Sequence, residues 1–115
     1  PDGYLPAGAL AAIVRALVDG KALEAAGLEG KSVEDLGEGW VGDEALAIGK
    51  LAALSGADFA LAIRLAANHS GDSDSTASIA GQIVGAEFGV GVIPKDWRVG
   101  LDCAEELLEL AHQLA

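Results

Sequence analysis

Apolar positions recur with a helical period along the whole chain, and no stretch alternates as a half-buried strand would. Residues 5–18 place Ala9, Ile13, Ala16 and Leu17 on one stripe, which predicts a helix ending near Gly20. Residues 21–26 read as a further helical piece. Residues 27–39 are rich in glycine and charge and read as a connection with a short turn around residues 32–36. Residues 43–54 and 58–68 predict helices that are apolar on nearly all sides, each starting from an aspartate cap, as expected in the middle of a protein. A helix over residues 76–89 follows, then a loop through Pro94. A final amphipathic helix over residues 99–114 is predicted to turn Leu101, Leu107, Leu108 and Leu114 inward and Glu105, Glu106 and Glu109 outward. The pattern predicts an all-α fold. In the helix over residues 76–89, Ala77, Gly81, Gly85 and Gly89 recur every fourth residue. Each interior glycine costs about 1 kcal/mol relative to alanine, tolerable where a neighbouring backbone must come close.

The most informative polar stretch is Asp72-Ser73-Asp74-Ser75-Thr76, where Asn68, His69, Ser70 and Gly71 give way to the apolar pattern. Two carboxylates one residue apart, followed by hydroxyls, are a hard-cation donor set. In an extended backbone residues i and i+2 point the same way, so both carboxylates converge and the next hydroxyl adds a neutral oxygen. The helix start beyond them offers free N–H groups and a positive dipole end, which suits an anionic substrate. An EF-hand opening at Asp72 would need glycine at its sixth position and glutamate at its twelfth, and Ala77 and Ile83 stand there. An aspartyl-nucleophile phosphatase fits the letters Asp72, Asp74 and Thr76, but needs a buried strand before them where this chain has Asn68 to Gly71 behind a helical pattern. A plain helix cap at Asp74 or Ser75 explains one carboxylate and leaves the second over.

Composition narrows the partners. A net charge of -11 argues against nucleic acid held through its phosphates. The single Cys103 cannot form an internal disulfide and reads as a small core residue, and neither a signal peptide nor a membrane span is visible, so a cytoplasmic protein is expected. The chain starts at Pro1, contains no Met and is 51% apolar with few aromatics, the composition expected of a piece of a larger core.

Residues 68–89 closely resemble the C-terminal metal motif of the ADP-ribosylglycohydrolase family, in its dinitrogenase reductase-activating glycohydrolase-like form: Gly71, Asp72, Ser73, Asp74 and Ser75 match its Gly-Asp-[Ser/Thr]-Asp-[Ser/Thr] core. Ile93, Pro94 and Trp97 match the Ile-Pro-x-x-Trp common in bacterial members. Gly39, Trp40 and Val41 ahead of Glu44 resemble the family's Gly-aromatic-Val helix start, and residues 3–9 match more weakly. The resemblance covers most of the chain. It implies that residues 1–115 are a single partial domain, the C-terminal part of an orthogonal all-helical fold whose whole holds two Mg²⁺ or Mn²⁺ ions and cleaves the glycosidic bond linking ADP-ribose to a protein side chain or small molecule.

Under that resemblance Asp72, Asp74 and Ser75 are the metal ligands, and Trp40, His69 and Gly71 the substrate-binding candidates. Trp40 is either a packing residue at a helix mouth or an aromatic near the adenosine, and His69 either a hydrogen-bonded packing residue or a support behind the ligands. Tyr4 is a weaker candidate, and His112, among acidic residues, reads as surface. Paired ions about 3.5–4 Å apart would orient the ribose hydroxyls and polarise water toward an oxocarbenium-like transition state. The chain departs from the family in lacking the Thr-Asp-Asp cluster and the acidic residue of an N-terminal half, so its catalytic residues are not assigned. Bacterial relatives also carry a longer helical region before the Gly-aromatic element, so a segment is expected to be missing near residues 23–36. Two functions stay open: a hydrolase completed by an N-terminal half, and a non-catalytic homologue that keeps the fold for structure or binding.

Overall fold

The computed structural model describes residues 3–25, 27–56 and 58–114. Six α-helices run in order: α1 Tyr4–Val18, α2 Gly42–Ser55, α3 Phe59–Ala67, α4 Ser73–Phe88, α5 Lys95–Val99 and α6 Ala104–Leu114, with 3-10 turns at Val33–Leu36 and Val90–Val92. Among the described residues there is no strand, so the all-α expectation holds. Among the described residues no helix is long and apolar enough to cross a membrane.

Helix α4 is the axis of the bundle and packs against α1, α2 and α3. Leu17 of α1, Ala53 of α2, Phe59 and Ala62 of α3, and Ile83 and Val84 of α4 form the main core, with Ala52, Ala66 and Ala80 making a second cluster of small side chains where α2, α3 and α4 meet. The close approach is built on α2: a Cβ at Gly49 would strike the Ile79 side chain and stand 3.2 Å from the Ala80 backbone nitrogen. The glycine ridge expected for this purpose on α4 does not serve it. Gly85 and Gly89 have open space around them, and Gly81 faces only the tips of Ile63 and Phe59.

The helix ends follow local chemistry. Beyond α1, Gly20 takes φ +87 and donates to the Leu17 carbonyl while Lys21 donates to that of Ala16, a Schellman stop available to glycine without strain. Asp58 caps α3 by accepting from the Leu61 N–H at 2.8 Å. Asp43 is no cap, because α2 begins at Gly42 behind Val41 and leaves Asp43 inside the first turn. At the turn Val33–Leu36, Ser32 and Asp35 form a reciprocal capping box, and the Ser32 N–H donated to the Asp35 carboxylate holds that group below the ordinary aspartate range.

Three expectations are corrected. Residues 21–25 are not helical, because the Schellman stop turns the chain away from α1; Ala26 lies outside the described residues. Cys103 is exposed with φ 59, in the turn between α5 and α6 rather than in the core. Leu101, Leu107, Leu108 and Leu114 are exposed rather than turned inward, Leu114 by 88%. Helix α6 has the predicted amphipathic pattern, but a groove of about 820 Å³ separates Ala111 and Leu114 from Leu10, Val14 and Val18 of α1, and Leu107 and Leu108 line an open cleft with Ile93 and Trp97, so its apolar stripe is left only partly covered. The Ile93-Pro94-Trp97 segment does dock, with the Trp97 ring edge-on to Phe59 at 5.9 Å between centroids.

Candidate functional site

The aspartate loop joins α3 to α4. Helix α4 starts at Ser73, three residues before the predicted start, so Asp72 is its N-cap residue (φ -78, ψ 71) and Asp74 lies in its first turn. An extended backbone is therefore not what brings the carboxyls together. Asp72 lies outside the helical region, and its carboxyl is within hydrogen-bonding reach of Asp74's. Asp74 is held below the ordinary aspartate range, first by this hydrogen bond and then by the N–H groups of Ser75 and of Asp74 itself. Two carboxyls this close repel unless a proton or a cation lies between them.

Beneath the pair, Thr76 is wholly buried. Its hydroxyl donates to the Ala66 carbonyl at 2.6 Å, satisfying an orphan acceptor at the end of α3, and lies 2.8 Å from His69 Nε2. The Gly71 N–H donates to His69 Nδ1 at 3.1 Å, so the tautomer that satisfies both contacts carries its proton on Nε2 and donates to Thr76. His69 thus ties the loop to the core with both ring nitrogens. Ser70 and Ser73 also spend their hydroxyls inside the fold, on Glu38 and on the His69 carbonyl, whereas Ser75 is left out of these bonds.

A second loop, ahead of α2, clamps the first. The Asp72 N–H donates to the Glu38 carbonyl at 2.7 Å, and a Cβ at Gly71 would collide with that carbonyl. Gly39 is buried against the Thr76 methyl, where a Cβ would stand at 2.9 Å. Glu44, on the first turn of α2, accepts from the N–H groups of Glu38 and Gly39 at 3.3 and 3.1 Å and fixes the loop. Trp40, directly after Gly39, is 67% exposed, and its indole N–H donates to Glu38 Oε2 at 3.2 Å.

The donors at the surface are hard oxygens, the type that Mg²⁺ and Mn²⁺ take. Asp72 and Asp74 fit such an ion as part of a ligand set. Among the described residues no group of three or more His, Cys, Asp or Glu comes together, so the pair does not complete a cage. Asp74 is exposed and Asp72 half-buried, so the pair is reached from solvent.

The structure brings Gly71 and Asp72 at the end of the loop next to Asp74 and Ser75 in the first turn of α4, sets His69 beneath them, and links Trp40 to the loop through Glu38. Sequence reasoning overlooked Glu38 and Thr76. The sequence pattern places Thr76 among the hydroxyls of the hard-cation stretch, whereas its inward direction follows from the phase of α4. Glu38 had one signal, its place between two glycines ahead of an aromatic.

The sequence profile of the ADP-ribosylglycohydrolase family matches residues 1–115. The chain is 49% identical to an ADP-ribosylarginine hydrolase Tri1 of Serratia proteamaculans over 53 residues, which are 46% of this chain and 14% of that protein. A protein of the same name from Pseudomonas putida is 42% identical over 53 residues, again 46% and 14%. The matched part is thus a small fraction of either relative. No solved structure matches the chain. With the profile spanning the whole sequence and the aspartate loop formed in an all-helical bundle, the chain belongs to the ADP-ribosylglycohydrolase family.

Proposed function

We propose that this chain supplies one half of a two-metal site that hydrolyses the bond between ADP-ribose and an arginine side chain. Asp72, Asp74 and Ser75 would hold Mg²⁺ or Mn²⁺, and a Thr-Asp-Asp cluster from an N-terminal half outside this chain would complete the set. The observation that carries the reading is the hydrogen-bonding proximity of the Asp72 and Asp74 carboxyls at the start of α4, with Ser75 next in the same turn. The names of both relatives support arginine as the acceptor. Bound ions would supply Lewis-acid polarisation and orientation of the ribose hydroxyls.

In the reaction a water oxygen bonds to the anomeric carbon as the carbon–nitrogen bond breaks, and the guanidine leaves with the electron pair and gains a proton. The residues of this chain contribute binding and charge. Asp72 and Asp74 offset the cations, Gly71 lets the loop pass close to Glu38, and Trp40 offers an exposed aromatic surface for the nucleotide. His69 holds the loop from below. A cytoplasmic setting, and a further segment belonging near residues 23–36, are part of the same reading.

The test is release of ADP-ribose from ADP-ribosylated arginine by the complete protein, with Mg²⁺, with Mn²⁺ and with a chelator. Metal-dependent release that is lost in Asp74→Ala supports the proposal. Absence of release with either metal overturns it and leaves the non-catalytic homologue.

A further inference from the structure

Glu38 is exposed to water, yet every polar group it carries is committed. Its N–H donates to Glu44 Oε1 at 3.3 Å and its carbonyl accepts from Asp72 at 2.7 Å. Its two carboxylate oxygens go to different donors, Oε1 accepting from the Ser70 hydroxyl at 2.9 Å and Oε2 from the Trp40 indole N–H at 3.2 Å. A surface glutamate is ordinarily solvated and rotates freely, losing rotamer entropy when fixed. Here the backbone is pinned from both sides, so the side chain starts from a fixed base and bridges the aspartate loop to an exposed tryptophan. The indole is held through its N–H edge and is 67% exposed.

We propose that Glu38 is a positioning residue that fixes the Trp40 indole beside the aspartate loop as a stacking surface for the nucleobase of an ADP-ribosyl ligand. The ligand class rests on the function proposed above, whereas the fixing of Trp40 rests on the geometry alone. An aromatic face stacks any nucleobase, and it does so more strongly when its orientation is set before binding, because less freedom is lost. The backbone bond from Asp72 to Glu38 does not involve the Glu38 side chain. Changing that side chain should therefore alter the aromatic wall and leave the metal loop in place.

The test uses the complete protein with Trp97→Phe, so that Trp40 is the one tryptophan of this chain. Acrylamide quenching and anisotropy of the indole, affinity for ADP-ribose and affinity for Mn²⁺ are measured for Glu38, E38Q, E38A, W40A and the double variant E38A/W40A. Free Trp40 motion and faster quenching are expected in E38A, with E38Q intermediate because its amide oxygen can still accept one of the two donors. ADP-ribose affinity is expected to fall about tenfold in W40A and about three- to tenfold in E38A, with no further loss when E38A is added to W40A. Mn²⁺ affinity should stay within about twofold. Unchanged quenching in E38A overturns the positioning role. An equal E38A loss with and without Trp40, or a parallel loss of Mn²⁺ affinity, assigns Glu38 to loop stability and also overturns it. If Trp40 loosens in E38A but the parent protein binds no ADP-ribose, the positioning stands and the nucleobase, with the proposed function, falls.

Discussion

Thr76 Oγ1 lies 2.8 Å from His69 Nε2 and 2.6 Å from the Ala66 carbonyl, so one buried hydroxyl links the end of α3, the polar loop and the first turn of α4. Thr76→Val keeps the shape and removes the hydroxyl, leaving the Ala66 carbonyl and the His69 N–H without partners. Urea unfolding should show a loss of about 1–3 kcal/mol, and Thr76→Ser a smaller one. A Thr76→Val protein as stable as the parent would mean that water replaces the hydroxyl and the link is dispensable.

Two glycines should respond in opposite directions. In Gly71→Ala the new Cβ meets the Glu38 carbonyl, and the loops can relieve it only by parting, at a cost of about 1–3 kcal/mol. Gly85 sits inside α4 with nothing within 4 Å of a Cβ, so Gly85→Ala should stabilise by roughly 0.5–1 kcal/mol. Thermal unfolding of the two variants checks the pair, and a destabilising Gly85→Ala would reveal a neighbour packed on that face.

For activity, Asp74→Ala should reduce metal-dependent ADP-ribose release by on the order of 100-fold or more, since a cation pair loses one of its anionic ligands. Ser75→Ala removes a neutral oxygen and should cost less. Titration with Mn²⁺ separates the two, because Asp74→Ala should weaken metal affinity most. Full activity in Asp74→Ala with metal still required would place the ligands elsewhere.

The capping box at Ser32 and Asp35 gives a pH dependence with a definite sign. The folded state depresses the Asp35 pKa below 3.8, so its contribution is present above the unfolded value and is lost as pH falls through the folded one. The protection factor of the Ser32 amide should hold at neutral pH and fall as pH drops below 3.8 through the folded value, while Asp35→Asn, whose weaker neutral acceptor replaces the carboxylate, should show lower protection throughout. An Asp35→Asn profile identical to the parent would show that the carboxylate does not hold the turn.

The sequence by itself determined what depends on near neighbours along the chain. Helical periods, the Asp58 cap, the Gly20 stop and the pairing of Asp72 with Asp74 involve residues a few positions apart, whose geometry is set by local sterics and hydrogen bonds. The tertiary structure decided which faces are covered and which polar groups meet across distance. The stripe on α6 predicts burial equally well whether the surface opposite closes on it or stands across an open cleft, and here it stands across clefts. His69 turned inward because the first turn of α4 sets the Thr76 hydroxyl, itself donated to the Ala66 carbonyl at the end of α3, within reach of its Nε2. Glu38 became part of the site through Ser70, 32 residues away, a contact that no local pattern encodes because it exists only once α2, α3 and α4 have packed.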